Sequence, residues 1–169
     1  MKVSIHSLAV EQVSHTLNQV LGFLDKAVAY AEAKKFDTSV LVNARLAPDM
    51  LPFSKQIQIA SDNAKFGVAR LAGIDAPKFE DNETTIDELR ARIKKTIDFI
   101  KSVPASAFEG GEDRDIKIVV PGRTFEMKGL AYLRGWVLPN VFFHVTTAYL
   151  ILRHNGVDVG KRDFLGDVK

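Results

Sequence analysis

Four histidines and no cysteine set the limits of the chemistry open to this 169-residue chain. Without a thiol there is no disulfide, no cysteine nucleophile and no thiolate ligand, so any metal would need His, Asp or Glu. Of His6, His15, His144 and His154, only His144 sits in an unusual setting. It lies within Pro139-Asn140-Val141-Phe142-Phe143-His144-Val145-Thr146-Thr147-Ala148-Tyr149. An imidazole in so apolar a stretch needs a partner, because a buried polar group left unpaired costs about 1–3 kcal/mol. Two readings are open. In one, His144 is a core histidine satisfied by a carboxylate, a hydroxyl or a carbonyl. In the other, it is a ligand or a general base on the wall of a pocket.

Asp62 is the partner that the sequence offers. With Gln58 and Lys65 it forms a polar stripe, at steps of four and three, beside the apolar stripe Phe53, Ile57, Ala60, Ala64, Val68 and Leu71. A carboxylate there could orient the imidazole and raise its basicity, giving a His144–Asp62 acid–base pair; plain solvent exposure of Asp62 is the alternative. Gln58, Trp136, Asn140 and Tyr149 are the candidate pocket residues around that pair. Arg153 and His154 fall in the last turn of their helix, where cations complement its negative end. The chain has no nucleophile elbow, no phosphate-cradling glycine loop and no acidic pair at metal-binding spacing.

Four helices must position these residues. The first spans about residues 7–34 on a stripe through Leu17, Val20, Leu21, Leu24, Val28 and Ala31, with His15 on its polar side. The second begins near residues 49–52, with Pro52 tolerated in its first turn, and ends at Gly73. The third starts at a capping box, Thr85 with Glu88, and is stopped by Pro104. Ile116, Ile118 and Val120, then Phe125 and Met127, alternate across Pro121-Gly122 and predict a β-hairpin. Residues 128–138 are ambiguous between a short helix and a loop. The fourth helix runs from Pro139 to about His154, and is so apolar that it reads as buried on all sides. Gly160 and Gly166 argue against regular structure in the tail. The expected fold is therefore one domain over residues 1–169, mainly all-α: a four-helix bundle with a small hairpin inserted between helices three and four.

Composition narrows the function classes. A net charge of +2, from 23 basic and 21 acidic residues, gives no basic block of the kind that nucleic acid selects. The run around Val137 to Leu152 is shorter than the roughly 20 apolar residues of a bilayer span, and the first 20 residues lack a signal peptide's apolar core. The expectation is a cytoplasmic protein that binds neither nucleic acid nor membrane, with an unidentified small molecule as ligand.

Three stretches then carry a resemblance: Arg45-Leu46-Ala47-Pro48-Asp49-Met50; Gln58-Ile59-Ala60-Ser61-Asp62 with Leu71-Ala72-Gly73; and Leu138 to Tyr149 continuing through Leu152-Arg153-His154-Asn155-Gly156-Val157 to Gly160-Lys161-Arg162-Asp163-Phe164-Leu165-Gly166. Together they resemble a bacterial domain-of-unknown-function family within the DinB/YfiT-like four-helix superfamily, described as candidate metalloenzymes with some thiol-dependent transferases and isomerases. That resemblance implies a DinB-like bundle, self-association as a homodimer, and a divalent metal held by one histidine of the second helix and a His-x-x-x-His pair of the fourth. His144 matches the first histidine of the pair, but Ala148 stands four residues on, and the second helix offers only Asp62 and Gln58. The expectation is a degenerate site with no metal or other cofactor and a binding or remnant-enzyme role. The alternative is an enzyme using His144 and Asp62, metal-free or with zinc or nickel.

Overall fold

The computed structural model describes residues 3–167. After a widened π turn at Ser7–Gln12, helix α1 (Val13–Lys34) is followed by a single turn α2 (Ser39–Val42) and by α3 (Phe53–Ala72). Helix α4 (Ile86–Ser102), strands β1 (Asp115–Val120) and β2 (Arg123–Lys128), the short α5 (Gly129–Tyr132), α6 (Leu138–His154) and α7 (Lys161–Leu165) complete the order. The expected second, third and fourth helices are α3, α4 and α6. Among the described residues, four long helices form the bundle: α3 packs on α4 and α6, and α1 packs on the same two.

Local chemistry explains the ends. Pro52 is the N-cap of α3, and Gly73 closes it with φ 69°, the left-handed conformation that frees a helix's last carbonyls to be met. Thr85 and Glu88 make the reciprocal capping box at the start of α4. One continuous core joins Leu17, Val20 and Leu24 of α1, Ile57, Ala60 and Leu71 of α3, Leu89 and Ile93 of α4, and Val141, Val145 and Ile151 of α6.

The hairpin is as expected. β1 and β2 pair antiparallel, with Ile118 opposite Phe125 and Val120 opposite Arg123, and Ile116 and Ile118 point into the core. Its base is tight. Gly129 donates its N–H to the Arg114 carbonyl at 2.9 Å, and a Cβ on Gly129 would lie 1.8 Å from the carbonyl oxygen of Gly111. Two backbones therefore touch where the excursion leaves and rejoins the bundle.

The ambiguous stretch after the hairpin is helical. α5 runs into a second π turn, Leu133–Val137, and then into α6. Pro139 has no N–H to give the preceding turn, which widens, and the Asn140 side-chain amide donates to the Trp136 carbonyl at 2.7 Å.

Four expectations are corrected. First, α6 is not buried on all sides: Phe143 and Leu150, one heptad apart, are 58% and 39% exposed. In a bundle one face of each helix turns outward, and the outward face of α6 is apolar too. Second, residues Gly129–His154 form a 26-residue helical run containing an 18-residue stretch of mean hydropathy 1.3, long and apolar enough by composition to cross a membrane, although the apolar run had read as too short. In this fold α6 is a bundle helix packed on α3 and α1. Third, the tail is ordered into α7 despite its glycines. Gly160 N–H donates to Asp163 Oδ2 at 2.7 Å, Lys26 holds Asp163 Oδ1 at 2.7 Å, and Phe164 lies against Phe23 and Tyr149. Fourth, His15, whose place on the polar side of its helix implied exposure, is half-buried and donates from Nε2 to the Leu165 carbonyl at 2.7 Å.

Candidate functional site

α3 and α6 meet along a seam, and His144 lies on it. Its Nδ1 is 2.7 Å from Oε1 of Gln56. The Gln56 amide nitrogen donates to the Leu51 carbonyl at 2.9 Å, which fixes the amide so that its oxygen faces the imidazole. An oxygen only accepts, so Nδ1 carries the proton and Nε2 is left with the lone pair. Among the described residues Nε2 has no hydrogen-bond partner, and it is not one of the sealed, unpartnered polar atoms. Half-burial lowers the pKa of His144 below the ordinary histidine value, because desolvation disfavours the imidazolium. The ring of Phe143 stands nearly perpendicular to it, with 5.2 Å between centroids. The result is a neutral imidazole with one oriented, solvent-reaching acceptor beside an exposed phenyl ring.

Asp62 belongs to a different seam. Its Oδ1 is 2.9 Å from Nη2 of Arg92 on α4 and 3.0 Å from Nζ of Lys65. The expected pairing with His144 is not among the hydrogen bonds or ion pairs of the described residues. Both cations are sealed in, Arg92 at 3% and Lys65 at 1% exposure. Arg92 also donates through Nε to Ser61 Oγ and through Nη1 to Glu83 and to the Glu80 carbonyl, and pairs with Asp81. Burial alone would lower its pKa; the Glu83 hydrogen bond and the charges of Asp62, Glu83 and Asp81 reverse that and raise it. Gln58, 1% exposed, donates to Glu83 Oε2 at 2.8 Å, while its own Oε1 is buried with no partner.

The remaining candidates do not converge on His144. Trp136 packs edge-on against Phe125 of the hairpin, Asn140 closes the π turn, and Tyr149 faces Phe23 and Phe164. Five open surface depressions, of about 310 to 810 Å³, lie elsewhere, and none has His144 on its wall. Gln56 was missed because the polar stripe drew attention to the other flank of Ile57. Residues 56 and 58 are roughly 200° apart on a helix, so Gln58 turns toward α4 while Gln56 turns toward α6.

A catalytic zinc site of the usual kind takes three protein ligands and leaves a fourth position open. Here the seam supplies one imidazole and an amide, with buried Ala148 one turn beyond His144. Among the described residues no three His, Asp or Glu side chains come together as ligands would. The donor set does not fit the metal triad of the superfamily that the sequence resembles.

The comparisons bear on the same residues. A family model described as "Domain of unknown function (DUF1993)" matches residues 5–165. The crystal structure of a DinB family member protein from Shewanella denitrificans is similar at TM-score 0.90 and 43% identity, over 97% of this chain and 93% of that one. No curated protein matches. The helical bundle of this chain is thus DinB-like, and it carries one small hairpin.

Proposed function

We propose that this chain, which belongs to the DUF1993 family, is a small-molecule-binding DinB-like bundle whose α3–α6 seam holds a degenerate remnant of a metal site. The observation that carries this reading is the Leu51–Gln56–His144 relay, which aims an unprotonated Nε2 at solvent. The Gln56 amide satisfies the imidazole from behind and leaves it ready to accept one hydrogen bond. With Phe143 at its edge, the ligand class is an apolar molecule that carries a single O–H or N–H donor. Asp62 is not part of this site, since Arg92 and Lys65 hold it. In the alternative reading as an enzyme, the imidazole acts as a lone general base without Asp62.

The test is a titration with phenol, the simplest apolar donor, followed by the ¹⁵N signal of His144 Nε2 and by elemental analysis of the same untagged protein. A saturable Nε2 shift that His144→Ala abolishes supports the proposal. Stoichiometric zinc or nickel that vanishes in His144→Ala would restore the metalloenzyme reading. No shift with phenol or with short alcohols and amides would sink the binding reading.

A further inference from the structure

We propose that residues 74–85, between α3 and α4, form a strap that opens from the bundle as one unit, with Arg92 as its clasp, and so gates solvent access to Lys65 and Gln58. The segment has no helix or strand, and from residue 75 to residue 83 it makes no backbone–backbone hydrogen bond among the described residues. Side chains alone attach it. Arg92 takes the Glu80 carbonyl, Asp81 and both oxygens of Glu83 at 2.9 to 3.2 Å. Gln58 adds a bond to Glu83, and Phe79 lies over the cations, 4.1 Å from Lys65 Nζ and 4.6 Å from Lys95 Nζ. Segments attached by few side-chain contacts open at lower free energy than the core they cover.

Beneath the strap is an unusual floor. Lys65 is 1% exposed, its ammonium between the rings of Phe66 and Phe79 with Asp62 as its counter-ion. Gln58 Oε1 is buried without a donor, so the closed state leaves one strong acceptor unmet, a cost that opening removes. When the strap lifts, Asp81 and Glu83 leave with it, and Arg92, Lys65 and Asp62 remain. Lifting the strap therefore raises the net charge of the site by two, and a carboxylate-bearing molecule can take the seat of Glu83 on Arg92 Nη1 and Gln58 Nε2.

Amine acylation under native conditions, read by peptide mass spectrometry, reports on Lys65, and amide exchange of the α3 and α6 cores in the same sample reports on global unfolding. In the wild type Lys65 is expected to react faster than the slowest core amides exchange. Glu83→Gln, which removes the charge but keeps the shape, is expected to raise that rate about tenfold or more while leaving the core amides unchanged, as loss of a charge-assisted bond implies. The idea is overturned if Lys65 reacts only at the rate of global unfolding, or if Glu83→Gln moves both readouts together.

Discussion

The side-chain amide of Gln56, held through its nitrogen by the Leu51 carbonyl, turns its oxygen to within 2.7 Å of His144 Nδ1. That contact spans 88 positions of sequence and joins the two helices that the resemblance had suggested for a metal. It decides which nitrogen of the ring is available, and the consequences can be measured.

The first concerns pH. Burial depresses the pKa of His144, so the folded protein holds its proton less tightly than the unfolded chain, whose histidine titrates near pH 6.5. Stability from this residue is then fully present above about pH 6.5 and falls as pH drops through the window between the unfolded and folded pKa values. Histidine NMR titration should give His144 an apparent pKa below the ordinary value and an Nε2 signal of the unprotonated type at pH 7. In Gln56→Glu a carboxylate faces Nδ1, favours the imidazolium and should move that pKa upward. An unshifted or lowered value in Gln56→Glu would contradict the contact.

A second prediction concerns the sealed cations. Breaking a buried ion pair leaves its partner's charge uncompensated, so Arg92→Met should destabilise the protein by about 3 kcal/mol. Asp62→Asn alone should also destabilise it, and the double variant should lose less than the sum because the Arg92–Asp62 attraction can be lost only once. Urea unfolding of the three variants measures this directly. Strict additivity would mean that Asp62 and Arg92 act independently.

The base of the hairpin gives the third. Gly129→Ala places a methyl group 1.8 Å from the Gly111 oxygen, a clash with backbone that no rotamer relieves. Its melting temperature should fall by the equivalent of at least about 2 kcal/mol. At Gly122, where φ is 76° but a Cβ meets nothing within 4 Å, alanine should cost only about 1 kcal/mol of conformational strain. Equal losses at the two sites would mean that steric contact at the base is relieved by movement.

Local signals made much of the fold readable before any coordinates. Thr85 with Glu88, Pro52 with Gly73, and the alternation around Pro121-Gly122 are written in adjacent residues, and each produced the element it implied. What escaped was decided by neighbours far along the chain. Both faces of α6 are apolar, so its composition could not say that Phe143 looks outward. α7 forms at residues 161–165 because Lys26 and Phe23 of α1 receive Asp163 and Phe164, which outweighs two glycines. At the candidate site, His144 was legible as an imidazole in need of a partner, but the choice between Asp62 and Gln56 depends on which flank of α3 faces which helix. Arg92 ends the run Glu88-Leu89-Arg90-Ala91-Arg92, whose alternating charges have the pattern of a solvated helix face, whereas the strap folds over it and makes it interior.

The hairpin also has a practical meaning. Its two strands leave and return at Gly111 and Gly129, where the backbones touch, and its far end is the Pro121-Gly122 turn with open space around Gly122. The distance that any insertion at that tip must bridge is therefore fixed by Val120 and Arg123, and lengthening a closed loop adds only about 0.6 kcal/mol per doubling. A fluorophore, an epitope or a surface tether could be spliced between residues 121 and 122, giving a handle for single-molecule work that leaves both α3 seams untouched.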